Sequence, residues 1–248
     1  MLNETQLEIY NRQIMIPQIG LGGQEKLISS QVLICGVGGL GSPVALYLAA
    51  MGIGHIGLID GDTVSLSNLN RQLLYSPADV CRLKVEVAEE RLRCLNPQIS
   101  VSAYGQTLTE DNAARLIGGF DIIVDCLDSL AARFILNDAC ILQDKPFVHA
   151  GVSCLSGQIM TVIPHKSPCL RCIFAGGDKR SGQTNAKGIV GATAGVIGSL
   201  QATEVFKYIL GLPLHDGGLL LYDGLRSSLQ NYSVKPDPDC FCQKSANK

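Results

Sequence analysis

Through the first 150 residues, short apolar runs alternate with longer stretches whose apolar positions recur at helical spacing. Gln31-Val32-Leu33-Ile34-Cys35 is apolar after its first residue and ends in glycines, the pattern of a parallel strand buried on both faces. Similar runs predict strands at His55–Ile59, Ile99–Tyr104, Asp121–Val124 and Phe147–Ala150. Between them the pattern predicts helices at Ser42–Met51, closed by Gly52, and at Leu83–Cys94, Glu110–Ile117 and Arg133–Leu142. Gln6 to Leu27 reads as a helical arm broken at Pro17 and Gly20. This alternation implies an α/β fold with a mostly parallel sheet flanked by helices.

After residue 150 the rhythm changes. Gln158–Ile163 and Gly218–Tyr222 look like strands without short crossover helices, which predicts an antiparallel C-terminal extension of the sheet. Gly195–Leu210 is a helix with an apolar face, and the polar, glycine-containing stretch Ala175–Lys187 is expected to be a mobile loop. There is no internal repeat, so the pattern describes one continuous domain.

Composition narrows the function classes. The net charge is −2, from 20 basic and 22 acidic residues, which argues against nucleic-acid binding through overall charge. Hydrophobic residues make up 46% and charged residues 17% of the chain, which excludes disorder and leaves apolar surface for an oligomer interface. Leu27 to Ile59 lacks Asp, Glu, Lys and Arg and is long enough to span a bilayer, but seven glycines and Pro43 divide it into shorter units. The first residues lack a basic region followed by an apolar one, so a cytoplasmic protein without membrane association is expected.

Gly36-Val37-Gly38-Gly39-Leu40-Gly41 follows a strand and opens a helix. Its glycines (Gly36, Gly38, Gly39 and Gly41) let the backbone approach phosphates, whose charge is favoured at a helix N-terminus. Asp60 ends the next strand, where a carboxylate can bind ribose hydroxyls, so the region reads as a Rossmann-like nucleotide site. A nicotinamide-dependent dehydrogenase shares this fingerprint and stays open as an alternative. Charge separates the two, because a triphosphate attacked at its α-phosphorus needs cations around it. Arg71 and Lys84, in the polar segment beyond Asp60, favour a polyphosphate. Asp125 and Asp128 lie at the end of another strand, a place suited to holding Mg²⁺ against phosphates. One of the two is expected to cap the following helix, and Asp128 is assigned to the metal.

Together these residues resemble the ThiF/MoeB/HesA family of bacterial relatives of ubiquitin-activating enzymes. The resemblance runs through Tyr10-Asn11-Arg12-Gln13, the glycine motif, Asp60, Ser65-Leu66-Ser67-Asn68-Leu69-Asn70-Arg71-Gln72, Lys84, Asp128, two cysteine pairs and Gly195–Ala202. It implies ATP-dependent adenylation of the C-terminal glycine of a ubiquitin-like sulfur-carrier protein ending in Gly-Gly. ThiS is the first choice of carrier and MoaD the alternative. It also implies a homodimer in which Arg12 enters the partner's ATP site. Contacts to ATP or Mg²⁺ are implied for Gly39, Asp60, Ser67, Asn68, Leu69, Asn70, Arg71, Lys84 and Asp128. Ser129 stands where many members have Asn, which alters one nucleotide contact. The chain then divides into an arm (1–30), a nucleotide-binding part (31–150) and a carrier-binding and zinc part (151–248). A scaffold that binds the carrier without activating it is a third reading, opposed by the intact set Arg71, Lys84 and Asp128.

Cys169-Leu170-Arg171-Cys172 and Cys240-Phe241-Cys242 supply four thiolates, the number for a closed structural Zn²⁺ site. The second pair is one residue shorter than the family's Cys-x-x-Cys, which reduces its geometric slack; a redox pair or a metal-free site are the other readings. The six remaining cysteines are expected to be small core residues. Thr184 occupies the place where many relatives carry a reactive cysteine, so sulfur transfer is expected to fall to a separate donor protein. His149 reads as a satisfied core histidine.

Overall fold

A computed structural model describes residues 1–174 and 188–244. The expected mobile loop, with Thr184, lies outside the described residues. The chain opens with α1 (Glu4–Ile9), α2 (Asn11–Ile14) and α3 (Gly20–Ser29). Asn3 and Gln6 cap α1 reciprocally: the Asn3 side chain accepts from the Gln6 amide at 2.8 Å, and the Gln6 side chain accepts from the Asn3 amide at 3.0 Å. Then follow β1 (Gln31–Cys35), α4 (Gly41–Ala50), β2 (His55–Ile59), α5 (Lys84–Leu95), β3 (Ser100–Tyr104), α6 (Glu110–Ile117) and β4 (Ile122–Asp125). The remaining elements are α7 (Leu130–Leu142), β5 (Phe147–Ser153), β6 (Ser156–Val162), α8 (Leu170–Ile173), α9 (Gly191–Leu210), β7 (Gly218–Asp223) and β8 (Ser228–Ser233).

All eight strands form one sheet in the order β3-β2-β1-β4-β5-β6-β7-β8. The first five pair in parallel and the last three continue antiparallel, as the change of rhythm near residue 150 predicts. Alternation along β1 sorts the core into two layers. Val32 and Ile34 join Leu48 of α4, Leu92 of α5 and Ile197 of α9 on one face. Leu33 and Cys35 join Leu116 of α6 and Leu136 of α7 on the other. No described helix is long and apolar enough to cross a membrane.

Several boundaries differ from the sequence expectation. The arm splits into three pieces, because Tyr10 ends α1 by turning into the core. Its ring lies against Gly52 (φ +86°), where a Cβ would fall 2.5 Å from Tyr10 Cζ, and its hydroxyl accepts from Asn96 Nδ2 at 2.8 Å. α7 starts at Leu130 rather than Arg133, and its cap is Ser129, whose Oγ accepts from the Ala132 amide at 3.2 Å. Neither Asp125 nor Asp128 takes the capping role expected of one of them. β8 had no predictive signal, since an edge strand with mostly exposed residues leaves no apolar pattern. Cys35, Cys126 and Cys140 are buried as expected, whereas Cys81, Cys94 and Cys154 are exposed, in loops or at the end of α5.

Close backbone approach at the start of α4 makes a testable difference between two glycines. A Cβ at Gly41 would sit 2.0 Å from the Gly36 carbonyl oxygen, whereas Gly22, on the exposed side of α3, meets nothing within 4 Å. Gly41→Ala is expected to destabilise the fold by at least about 2 kcal/mol. Gly22→Ala is expected to stabilise it by about 0.5–1 kcal/mol. Thermal or urea melts of the two variants check the contrast.

Candidate functional site

β1 lies between β2 and β4, so the chain leaves the sheet in opposite directions on either side of it, and a crevice opens at the carboxyl ends of these strands. The ends are bound to one another: the Gly36 amide donates to the Ile59 carbonyl at 2.8 Å, and the Cys126 amide to the Cys35 carbonyl at 2.9 Å. Gly36 adopts φ +92°, and a Cβ there would meet the Cys126 carbonyl at 2.7 Å. Only glycine satisfies both demands. The turn leads through Gly38 and Gly39 into α4, whose first residue is Gly41. Beside it, the buried Ser42 Oγ and Gln72 Oε1 find no hydrogen-bond partner among the described residues.

Asp60 follows β2 and accepts from the Val37 amide (2.8 Å, Oδ2) and the Asp62 amide (2.9 Å, Oδ1). Burial pushes its carboxyl above the usual carboxylate range, opposed by Lys84 and by those amides. The segment after Asp60 loops out and returns: the Val64 amide donates to the Arg82 carbonyl at 2.9 Å, and the Lys84 amide to the Asp62 carbonyl at 3.0 Å. This return sets Lys84 at the first position of α5, 5% exposed. Its Nζ lies 2.7 Å from Asp62 Oδ2 and 4.0 Å from Asp60 Oδ2. Asp62, in the polar segment that the sequence turns toward the crevice, thus pairs with Lys84, a contact between residues 22 positions apart that the sequence did not announce.

Ser67 and Asn68 lie in a single turn of 3₁₀ helix, followed by Leu69 and Asn70. Arg71 Nη1 donates to the Ser67 carbonyl (2.8 Å) and to Asn70 Oδ1 (3.0 Å). Its aliphatic stem reaches Gly39, where a Cβ would lie 3.5 Å from Arg71 Cδ. The start of α9 closes on the same segment, since a Cβ at Gly191 would fall 2.5 Å from the Asn70 carbonyl oxygen. The structure therefore brings the glycine turn, Asp60, the 67–71 segment and Lys84 to one crevice. Asp128 and Ser129 are exposed on the loop after β4, which packs against Gly36. Arg12 stands apart: it is exposed on α2, on the arm anchored by Tyr10.

His149 is a core histidine, as expected, fully buried on β5 with its Nδ1 2.7 Å from Asp125 Oδ2. Asp125 is fully buried too and does not face the crevice as a ligand. Phe174 packs at the margin of the second core layer.

The four paired cysteines converge despite the short second spacing. Sγ separations are 3.7 Å for Cys169–Cys240, 4.0 Å for Cys169–Cys172 and 3.5 Å for Cys172–Cys242. All four sulfurs lie within 4.8 Å of one another. Thiolates around one Zn²⁺ at about 2.3 Å would lie about 3.8 Å apart, so the set fits a closed tetrahedral site. α8 supplies the turn that presents Cys172, and the Asp237 amide donates to Cys172 Sγ at 3.4 Å. Burial raises the Cys169 thiol and pushes Cys242 up to about 11. Burial also opposes ionisation of Cys172, but the Asp237 amide and its neighbours outweigh it and lower that thiol. Metal analysis is expected to find about one Zn²⁺ per chain, and Cys242→Ser is expected to lose most of it and melt earlier. Wild-type metal content in that variant would remove the site.

Comparison with known proteins agrees with this geometry. The chain is 46% identical over 238 residues to the adenylyltransferase and sulfurtransferase MOCS3 of Culex quinquefasciatus, covering 94% of this chain and 54% of that protein. It thus spans about half the length of the MOCS3 proteins it matches. It is 38% identical over 240 residues to the sulfur carrier protein ThiS adenylyltransferase of Escherichia coli K12, covering 96% of each. Among solved structures, Escherichia coli MccB with AMPCPP and MccA superposes with a TM-score of 0.84 at 26% identity, over 96% of this chain and 74% of that one. Residues 10–242, from the buried Tyr10 to the last of the four cysteines, match the ThiF family model, and the chain belongs to the ThiF family.

Proposed function

We propose that the protein adenylates the C-terminal glycine carboxylate of a ubiquitin-like sulfur-carrier protein, consuming ATP and releasing pyrophosphate. The observation that carries this reading is the convergence of the glycine turn, Asp60, Arg71 and Lys84 on one crevice, in a chain whose relatives are named adenylyltransferases. A dehydrogenase has no support in those relatives, and a mere scaffold would not need this set of cations.

The chemistry asks little of the protein beyond placement and charge. A carboxylate is already ionised at pH 7, so no general base is required. Its oxygen attacks the α-phosphorus, the bond to the bridging oxygen of the β-phosphate breaks, and pyrophosphate leaves with that electron pair. The glycine turn and the N-terminus of α4 face the phosphates, and Asp60 the ribose. Lys84 and Arg71 balance the charge on the triphosphate. Asp128, an exposed carboxylate over the crevice, would hold Mg²⁺ through one or two contacts, as this ion prefers. When bound, Mg²⁺ shields the phosphate charge. Arg12, exposed on its anchored arm, is suited to entering the site of a second copy in a homodimer. The C-terminal part, with its Zn²⁺ site, receives the carrier.

ThiS-like carriers are the first reading, favoured by the named relative matched over nearly all of both chains. A MoaD-like carrier is the second. Sulfur would reach the adenylate from a separate donor protein, and the reaction takes place in the cytoplasm. ATP–pyrophosphate exchange is expected with one carrier ending in Gly-Gly and not with the same carrier lacking its last glycine. Arg71→Ala or Asp128→Ala is expected to reduce exchange by at least about 100-fold without changing the melting temperature. Near-wild-type exchange in either variant would refute the assignment.

A further inference from the structure

Beneath the loop that carries Asp128 lies a buried polar cluster that the adenylation chemistry does not use. Asp125, the last residue of β4, accepts from the Leu127 amide through Oδ1 at 3.1 Å and from His149 Nδ1 through Oδ2 at 2.7 Å. Arg133 reaches across from α7 and donates to the Leu127 carbonyl from Nε at 3.0 Å and from Nη2 at 2.6 Å. Both polar groups of Leu127 are therefore held by side chains, and Asp128 is the next residue. Gln201 of α9 completes the frame: its Nε2 donates to the Asp125 carbonyl at 3.0 Å and to the Val148 carbonyl at 3.1 Å, fastening β4 to β5.

His149 sits at the base of this frame. Its Nδ1 lies 2.7 Å from Asp125 Oδ2, an acceptor, so the ring proton resides on Nδ1, and Nε2 faces the Gln158 side-chain amide at 3.3 Å. Burial pushes the imidazole below its ordinary pKa, against the pull of Asp125, which favours the neutral ring. A neutral donor on one carboxylate oxygen leaves the other oxygen free for the Leu127 amide. Without that donor the only group left facing Oδ2 among the described residues is the Arg133 guanidinium, whose Nε lies 4.0 Å away and already donates to the Leu127 carbonyl, so the carboxylate would turn toward Arg133 or take up water.

We propose that His149 is a positioning residue for Asp128: by donating Nδ1–H to Asp125 it fixes the carboxylate that holds the Leu127 amide and, together with Arg133 on the Leu127 carbonyl, sets Leu127 and so where the neighbouring Asp128 stands. This rests on the reading of Asp128 as the Mg²⁺ carboxylate. Outer partners of metal-binding groups typically matter 10- to 100-fold in metal affinity, and two buried links separate His149 from the ion here.

The test measures ATP binding to the full chain at equilibrium, once with Mg²⁺ and once with EDTA, so no turnover is involved. Wild type is expected to prefer ATP with Mg²⁺, and Asp128→Ala to lose that preference. Retention of the preference in Asp128→Ala would refute the reading of Asp128 itself. His149→Leu is expected to lose about 10-fold of the preference while binding ATP in EDTA as wild type does. His149→Asn, whose amide can donate to Asp125, is expected to retain it. The double variant with Asp128→Ala is expected to behave as Asp128→Ala alone, because the two act through one link. A folded His149→Leu protein with wild-type Mg²⁺ preference, or equal weakening with and without Mg²⁺, overturns the proposal. If the leucine variant does not fold, His149→Ala, whose cavity admits water to Asp125, is measured in its place and judged by the same outcomes.

Discussion

The turn between β1 and α4 closes so tightly that a Cβ at position 41 would overlap the Gly36 carbonyl, 2.0 Å away. No hydrogen bond can offset an overlap of that depth, so the rest of the crevice is arranged around a stretch of bare backbone. Because the turn carries no side chains at 36, 38, 39 and 41, the Val37 amide reaches Asp60 and the loop after β4 can lie directly on Gly36. The N-terminus of α4 and both flanking carboxylate-bearing loops thus share one point of contact. Moving that point would move all three.

Much of this was readable from the chain alone, for a physical reason. β1, β2 and α6 fall at the expected boundaries because burial on both faces of a strand, or one face of a helix, leaves a strong apolar pattern. That the glycine turn and Asp60 stand together was legible because both lie at strand ends, whereas Lys84 joins them only through the return of the 60–84 segment. Features built from distant residues were not. His149 meets Asp125 from 24 positions away, and nothing in either segment announces the pairing. β8 left no pattern because an exposed edge strand is held by backbone hydrogen bonds to β7 rather than by burial. Ser129 displaced both aspartates from the helix cap, since its hydroxyl stands at the position where α7 begins.

The antiparallel half of the sheet is organised differently from the parallel half. β7 is mostly half-buried and β8 largely exposed, so little apolar area holds these strands down. Cys169 and Cys172 precede them in the chain, and Cys240 and Cys242 follow. Convergence of the four sulfurs closes the segment into a loop whose two ends meet at the margin of the second core layer, where Cys169, Leu170 and Cys242 are buried.

The Lys84–Asp62 pair has a consequence for how a polyanion would enter. The ammonium is nearly buried and already has a carboxylate 2.7 Å away, while that carboxylate is mostly in solvent. On the proposed reading, a phosphate entering beside Lys84 would meet a cation whose counter-charge is tethered to the same chain, so entry would exchange one anion for another at the ammonium. Exchange of one anion for another changes the number of bound salt ions less than adding an anion to a bare cation does. On that reading the tethered carboxylate would lessen the dependence of phosphate binding on ionic strength, and it already holds Lys84 Nζ at 2.7 Å.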